Sequence, residues 1–260
     1  MDALIGYTGF VGSNLLRQHD FAAQYNSRNI GDIAGGRFAT LVFAGAQGKK
    51  WWANQNPAED WAGIETALTA LVGVTADRVI LISTIDVVPQ VSGADEDFDC
   101  ASQANHAYGA NRLRLEAAMR TLFPNLTVIR LPALTGWDLR KNIIFDLAHN
   151  NRVDLIDPAS RFQFYDLHRL WQDIEIAHGA GLDVVHLVTE PVCTGDIVAR
   201  FFSDAAIGAA PEAGSPAYDF RTRHAAVFGG ANGYIYDAGE AMRRVGAYVA
   251  AIRTERETTA

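Results

Sequence analysis

The chain has 260 residues, 49% of them hydrophobic and 20% charged. That composition is ordinary for a globular protein, and the length fits one large domain or one domain with a small appendage. A net charge of −8 argues against nucleic acid as a partner, because such binding relies on clustered Lys and Arg. No apolar run approaches the roughly 20 residues of a membrane span, and no basic segment followed by an apolar one marks a secretory leader. The two cysteines, Cys100 and Cys193, stand far apart, and the seven histidines show no metal-ligand spacing. These features predict a cytoplasmic protein with no membrane partner, no disulfide and no metal.

The predicted elements alternate in type. Ala3–Ile5 is a short apolar strand that runs straight into glycines, and Gly12–Arg17 reads as the first turns of a helix. Phe21–Tyr25 and Thr40–Ala44 are the next strands, and Ala58–Val74 has helical periodicity. Arg78–Ser83 is a continuous apolar run ending in a hydroxyl. Ala110–Thr121 is a helix and Leu126–Leu131 a strand. After Pro132 the alternation weakens: Asn142–Asn150 and Leu167–His178 look helical, Asp183–Val188 looks extended, and Gly208–Pro216 is a loop. Strands that are apolar on both faces and alternate with helices indicate an α/β fold, a Rossmann-like doubly wound parallel sheet with a small C-terminal substrate lobe. The predicted core is residues 1–132, with 165–200 returning to it. Residues 133–164 and 201–260 form the lobe, expected to close over the sheet edge.

The first motif is Gly6-Tyr7-Thr8-Gly9-Phe10-Val11-Gly12, between a strand and a helix. The first glycine permits a tight turn, the second lets backbone approach a diphosphate, and the third lets helix pack closely on strand. The helix N-terminus then offers unpaired N–H groups to the phosphates. A dinucleotide is the predicted ligand, with Thr8, Phe10 and Val11 beside it. Beyond the second strand an NAD site usually carries an acid for the ribose hydroxyls. This chain has Asn26, Ser27 and Arg28 there and no acid before Asp32. Arg pairs with phosphate through two N–H groups, so NADP is favoured, with NAD as the alternative.

Together with that motif, Phe43-Ala44-Gly45-Ala46, Leu81-Ile82-Ser83-Thr84, Tyr108-Gly109-Ala110-Asn111-Arg112 and Arg130-Leu131-Pro132 occur in order over residues 1 to about 180. The chain thereby resembles the extended short-chain dehydrogenase/reductase superfamily, the NAD-dependent epimerase/dehydratase family. It looks most like sugar reductases of the dTDP-4-dehydrorhamnose reductase type and next like sugar 4-epimerases. Phe162–Leu167 looks like the segment that shapes the family's substrate lobe. The resemblance implies hydride transfer between NADP(H) and a carbinol or keto carbon of a sugar or nucleotide-sugar, and is compatible with a homodimer. It assigns the proton-transferring tyrosine to Tyr108, its cationic partner to Arg112 and the orienting hydroxyl to Thr84, with Ser83 as fallback. Ala44, Gly45, Ala46, Leu131 and Pro132 would line the cofactor.

The chemistry requires a proton to move at the oxygen of the carbon that gains or loses hydride. A cation four residues along the helix is expected to bring the Tyr108 phenol down towards neutrality. Three positions depart from the family pattern: Arg112 stands where Lys is usual, Ile64 where Asn is frequent, and Ala133 where epimerases have Asn. Arg is a poor proton relay, since its pKa exceeds about 12. A nucleotide-sugar epimerase or dehydratase with bound cofactor is one alternative, which these departures disfavour, and a non-catalytic NAD(P)-binding sensor, prompted by Arg112, is another. Each residue also has an ordinary structural reading: Tyr108 as a half-buried helix tyrosine, Arg112 as a surface charge paired with Glu116, Thr84 as a strand end. Substrate candidates are Trp51 in the Gly48–Asn54 run, Arg140, Lys141, Asn142, Arg161, Gln163 and Tyr165, and the segment Tyr218–His224.

Overall fold

In the computed structural model, which describes residues 1–90 and 92–259 (side chains only to 254), six parallel strands form the central sheet. They are β1 (Asp2–Ile5), β2 (Ala23–Tyr25), β3 (Arg37–Phe43), β4 (Thr75–Thr84), β5 (Leu126–Leu131) and β9 (Val184–His186), in the spatial order β2-β1-β3-β4-β5-β9. The helices between them are α1 (Phe10–Leu16), α2 (Lys50–Gln55), α3 (Pro57–Ala70), α4 (Ala107–Leu122) and α6 (Leu170–Gly179). The sheet is parallel and doubly wound, as its sequence pattern predicts.

Side-chain alternation explains the two covered faces. Ala3, Ile5, Leu41, Phe43, Val79, Leu81 and Val128 share one cluster with Ile64 and Leu68 of α3 and Leu115 and Met119 of α4. The residues in the opposite phase, Leu4, Val42, Ile80 and Ile129, are equally buried, as are Leu15 of α1 and Ile174 of α6. Strands buried on both faces are mostly apolar, and β5 is buried throughout, with Thr127 and Arg130 as its polar members.

The chain divides into two compact units. The first comprises Met1–Gln90, Glu96–Leu131 and Leu167–His186 and contains the whole sheet. The second comprises Val91–Asp95, Pro132–Asp166 and Leu187–Ala260. It holds β6 (Ala133–Thr135) paired with β8 (Phe164–Asp166), β7 (Arg161–Phe162) paired with β10 (Val192–Cys193), and the helices α5 (Ile143–His149), α7 (Thr194–Phe201) and α8 (Ala238–Thr259).

Element ends differ from the sequence reading where local chemistry is decisive. The helix expected from Ala58 begins at Pro57, whose fixed φ suits a first helical position, and ends at Ala70, ahead of Gly73 at φ 82°. Strand β4 begins at Thr75, three residues before the apolar run, because Arg37 and Phe38 of β3 pair with Thr75 and Ala76. Asn142 and Asn150 bracket α5 as its two caps, the first accepting from Ile144 N and Phe145 N, the second in the left-handed region. Helices α2, α7 and α8 have no counterpart in the sequence reading. Among the described residues no helix is long and apolar enough to cross a membrane.

The tightest backbone approach is at the glycine turn. Gly6 sits at φ +88°, and a Cβ built there would lie 2.3 Å from the Ala44 carbonyl oxygen; one on Gly12 would lie 2.1 Å from the Gly6 carbonyl oxygen. Gly12→Ala is therefore expected to destabilise the protein by about 1–3 kcal/mol, the usual cost of overpacking. Urea unfolding measures it, and an unchanged midpoint contradicts the packing argument.

Candidate active site

Parallel pairing places the C-terminal ends of β1, β3, β4 and β5 along one edge: Ile5 is opposite Phe43, Phe43 opposite Leu81, and Thr84 opposite Leu131. Chain order runs outward from β1 in both directions, first to β2 and then to β3. The switch point thus lies between β1 and β3, where open α/β sheets bind ligands. The Gly6–Gly12 turn leaves β1 at that crevice. Its backbone is held by Gly6 N to Tyr25 O at 2.7 Å and Gly9 N to Gly6 O at 2.9 Å. Gly9 caps α1 without a side chain, and the first N–H groups of a helix have no partner within it. Thr8 and Gly9 are exposed, Phe10 and Val11 half-buried. Bare backbone at a helix start, in a turn where Cβ atoms cannot fit, suits a diphosphate.

The turn after β2 is built by asparagines. Asn29 Oδ1 accepts from Asn26 N at 2.7 Å, and Asn26 Oδ1 accepts from Arg28 N at 2.8 Å. Ser27 and the Arg28 side chain are exposed. Ala44, Gly45 and Ala46 follow β3, with Ala44 N donating to Ile5 O at 2.8 Å. Leu131 ends β5, and Pro132 opens the second unit.

Thr84, Tyr108 and Arg112 come together in the first unit. Thr84 is the last residue of β4, and its Oγ1 accepts from Asp86 N at 3.2 Å. Tyr108 is the second residue of α4 and is buried. His106 Nδ1 caps this helix by accepting from Gly109 N at 3.0 Å, and Asn54 Oδ1 accepts from Tyr108 N at 2.9 Å. The Thr84 side chain also acts on the phenol, favouring its ionised form. One turn on, the Arg112 guanidinium carbon stands 4.2 Å from the Tyr108 ring centre. Arg112 is 2% exposed and donates to Asp60 Oδ2 and to the Gln47 carbonyl oxygen. It is neither at the surface nor paired with Glu116. At the mouth, Lys50 Nζ meets Asp86 Oδ1 at 2.6 Å, with His106 Nε2 3.9 Å from the same oxygen.

The expected fall of the Tyr108 pKa is corrected by this geometry. Burial pushes the phenol up, Arg112 pulls it down, and Asp86 and Asp60 push it up again, for a net rise. The sequence reading counted the neighbouring cation but neither the burial nor the acid that faces it.

Beneath the site lies a second buried ion pair. Arg130 of β5 donates through Nε and Nη2 to Glu116 Oε1 and Oε2 at 3.0 and 2.7 Å, Ser83 Oγ donates to Glu116 Oε1 at 2.6 Å, and Arg130 Nη1 is 3.1 Å from His186 Nε2. Ser83 is thereby occupied, whereas Thr84 is the hydroxyl that acts on Tyr108. The Cys100 thiol is pushed up by burial.

Trp51 is 65% exposed on α2. Asn142, Gln163 and Tyr165 belong to the second unit and serve its framework. Asn142 caps α5 at φ 127° while its Nδ2 donates to Leu134 O at 2.8 Å. Gln163 Nε2 donates to Thr189 O and Phe220 O at 2.6 and 2.9 Å, and its Oε1 accepts from Phe220 N at 2.8 Å. Tyr165 is fully buried. A cavity of about 280 Å³ in this unit is lined by Arg161, Glu190, Tyr218, Asp219 and Tyr234 among others. Asp60, Asn54, Asp86 and His106 escaped the sequence reading. Asp60 lies in the first turn of α3, where acids are common for dipole reasons, so nothing local set it apart.

No protein-family model matches the chain, and no curated protein matches it. Solved structures do. The chain is similar to a dTDP-4-dehydrorhamnose reductase of Clostridium acetobutylicum (13% identity over 97% of this chain and 100% of that one, TM-score 0.71). It is likewise similar to the dTDP-4-dehydrorhamnose reductase of Bacillus anthracis in complex with NADP (15%, 95% and 98%, 0.71). A UDP-galactose 4-epimerase matches at 14% identity over 98% and 99% of the two chains, with a TM-score of 0.71. The fold is that of these reductases and epimerases, in agreement with the resemblance carried by the motifs.

Arg130→Met strands the Glu116 carboxylate in the core and is expected to cost about 3–5 kcal/mol in denaturant unfolding. Adding Glu116→Gln should recover part of that loss; no recovery contradicts the pairing.

Proposed function

We propose that this protein is an NADP-dependent oxidoreductase that reduces a keto group of a sugar or nucleotide-sugar, with Tyr108 as the proton donor. The observation that carries this reading is the meeting of Thr84, Tyr108 and Arg112 in the same unit, and at the same sheet edge, as the Gly6–Gly12 turn. Three residues that are each ordinary alone set a hydroxyl and a cation to act on one phenol, in the unit that also carries the glycine turn.

The backbone of Gly9–Gly12 would hold the diphosphate, and Asn26, Ser27 and Arg28 the 2′-phosphate. Ala44–Ala46 and Leu131 would line the rest of the dinucleotide. The NADP held by the Bacillus anthracis fold neighbour supports this choice. When bound, the reduced nicotinamide supplies hydride to the carbonyl carbon. Tyr108 O–H gives its proton to the carbonyl oxygen, so the C=O becomes a carbinol and the phenolate is re-protonated from solvent. Thr84 holds the same oxygen by hydrogen bonding. Arg112 packs on the ring and fixes its plane. Trp51 offers an exposed face on which a sugar can stack.

Two experiments test the reading. With NADPH and a panel of keto sugars and nucleotide-linked keto sugars, Tyr108→Phe is expected to lower turnover by about 10²–10⁴-fold, the contribution of general acid catalysis, with NADPH affinity unchanged. Retained turnover contradicts it. Arg28→Ala is expected to weaken NADPH binding by about tenfold or more, the loss of a charge-assisted contact, while leaving NADH binding unaltered. Calorimetric titration of both cofactors measures the difference, and equal losses point to NAD instead.

A further inference from the structure

A cation one turn from a phenol ordinarily stabilises the phenolate. In this protein the cation is already matched. Arg112 and Asp60 each have side chains only 2% exposed and face one another as an ion pair. Asn111 Nδ2 donates to the same Asp60 oxygen at 2.8 Å, and the Gln47 carbonyl takes a second guanidinium proton. The Tyr108 ring therefore lies under a guanidinium whose charge is countered a few ångströms away.

We infer that Asp60 is a positioning residue: it holds the Arg112 guanidinium against the Tyr108 ring and, by countering its charge, weakens the pull of that cation towards the phenolate. The inference rests on the reductase reading and sharpens it. Reduction needs a proton at the carbonyl oxygen, which a phenol has. Oxidation of a carbinol, the opening step for an epimerase that works through a keto intermediate, needs a phenolate to take one.

The other charged groups around Tyr108 point the same way. Asp86, after β4, opposes ionisation, and Lys50 of α2 is bound to Asp86 rather than to the phenol. His106, ahead of α4, is drawn down in pKa by burial and by Lys50, which disfavours a second cation beside the ring. Burial itself is the largest influence.

The test uses the protein alone and does not require its substrate. Phenolate absorbance is titrated against pH for the protein and for Tyr108→Phe, whose difference isolates Tyr108, with circular dichroism at each pH to verify the fold. Tyr108 is expected to ionise above the ordinary tyrosine value of about 10. Asp60→Asn should shift that ionisation to lower pH, and Asp60→Glu, which keeps the charge, should leave it near the unsubstituted protein's. Ionisation at or below the ordinary value overturns the inference, as does an equal shift in both Asp60 variants. Should Asp60→Asn not fold, Asp60→Ser, a second neutral replacement, takes its place under the same criteria. Full turnover by Tyr108→Phe would instead overturn the reductase reading, a failure distinct from any shift in the titration.

Discussion

The site depends on one close approach of backbone to backbone. β1 lies between β2 and β3, and the chain leaving it must turn within one residue against the Ala44 carbonyl. Only a residue without Cβ passes there, and only a second one at Gly12 lets α1 sit down on the turn. The same two constraints leave bare N–H groups facing the crevice at the switch point. Packing necessity and the proposed diphosphate site thus fall on the same glycines, and the parallel register carries the ends of β3, β4 and β5 to the same edge.

Helix α4 supplies the other half. Tyr108, Arg112 and Glu116 follow one another at intervals of four, so they form a buried polar stripe on a helix that otherwise packs through Leu115 and Met119. A stripe of that kind is tolerated only when each member finds a partner. Asp60 meets the guanidinium, Arg130 with Ser83 the carboxylate, and the Thr84 side chain acts on the phenol. Three elements, α3, β4 and β5, are thereby keyed to one face of α4. Replacing one buried charge costs more than its own contact because it strands the partner.

What was legible in the sequence was local. The glycine spacing, the strand before it and the helix after it lie within sixteen residues, and the Tyr108–Arg112 pair is fixed by helical periodicity. The alternation of apolar strands and helices was enough to specify a parallel sheet. Asp60 was not legible, because its contact with Arg112 spans 52 residues and depends on how α3 lies along α4. For the same reason the direction of the Tyr108 pKa came out reversed: a charge four residues away is visible in a sequence, whereas burial and an opposing acid are properties of the fold. Gln163 and Tyr165 looked like pocket residues because polar side chains in a resembling segment invite that reading, but Gln163 serves the loop backbone of Thr189 and Phe220 in its own unit.

The most direct test of the account is a crystal structure of the protein with NADPH. The diphosphate is expected on the backbone of Gly9–Gly12 at the start of α1, the 2′-phosphate beside Arg28, and the nicotinamide within reach of Tyr108 and Thr84. A dinucleotide bound elsewhere, or one whose nicotinamide lies away from Tyr108, would contradict it.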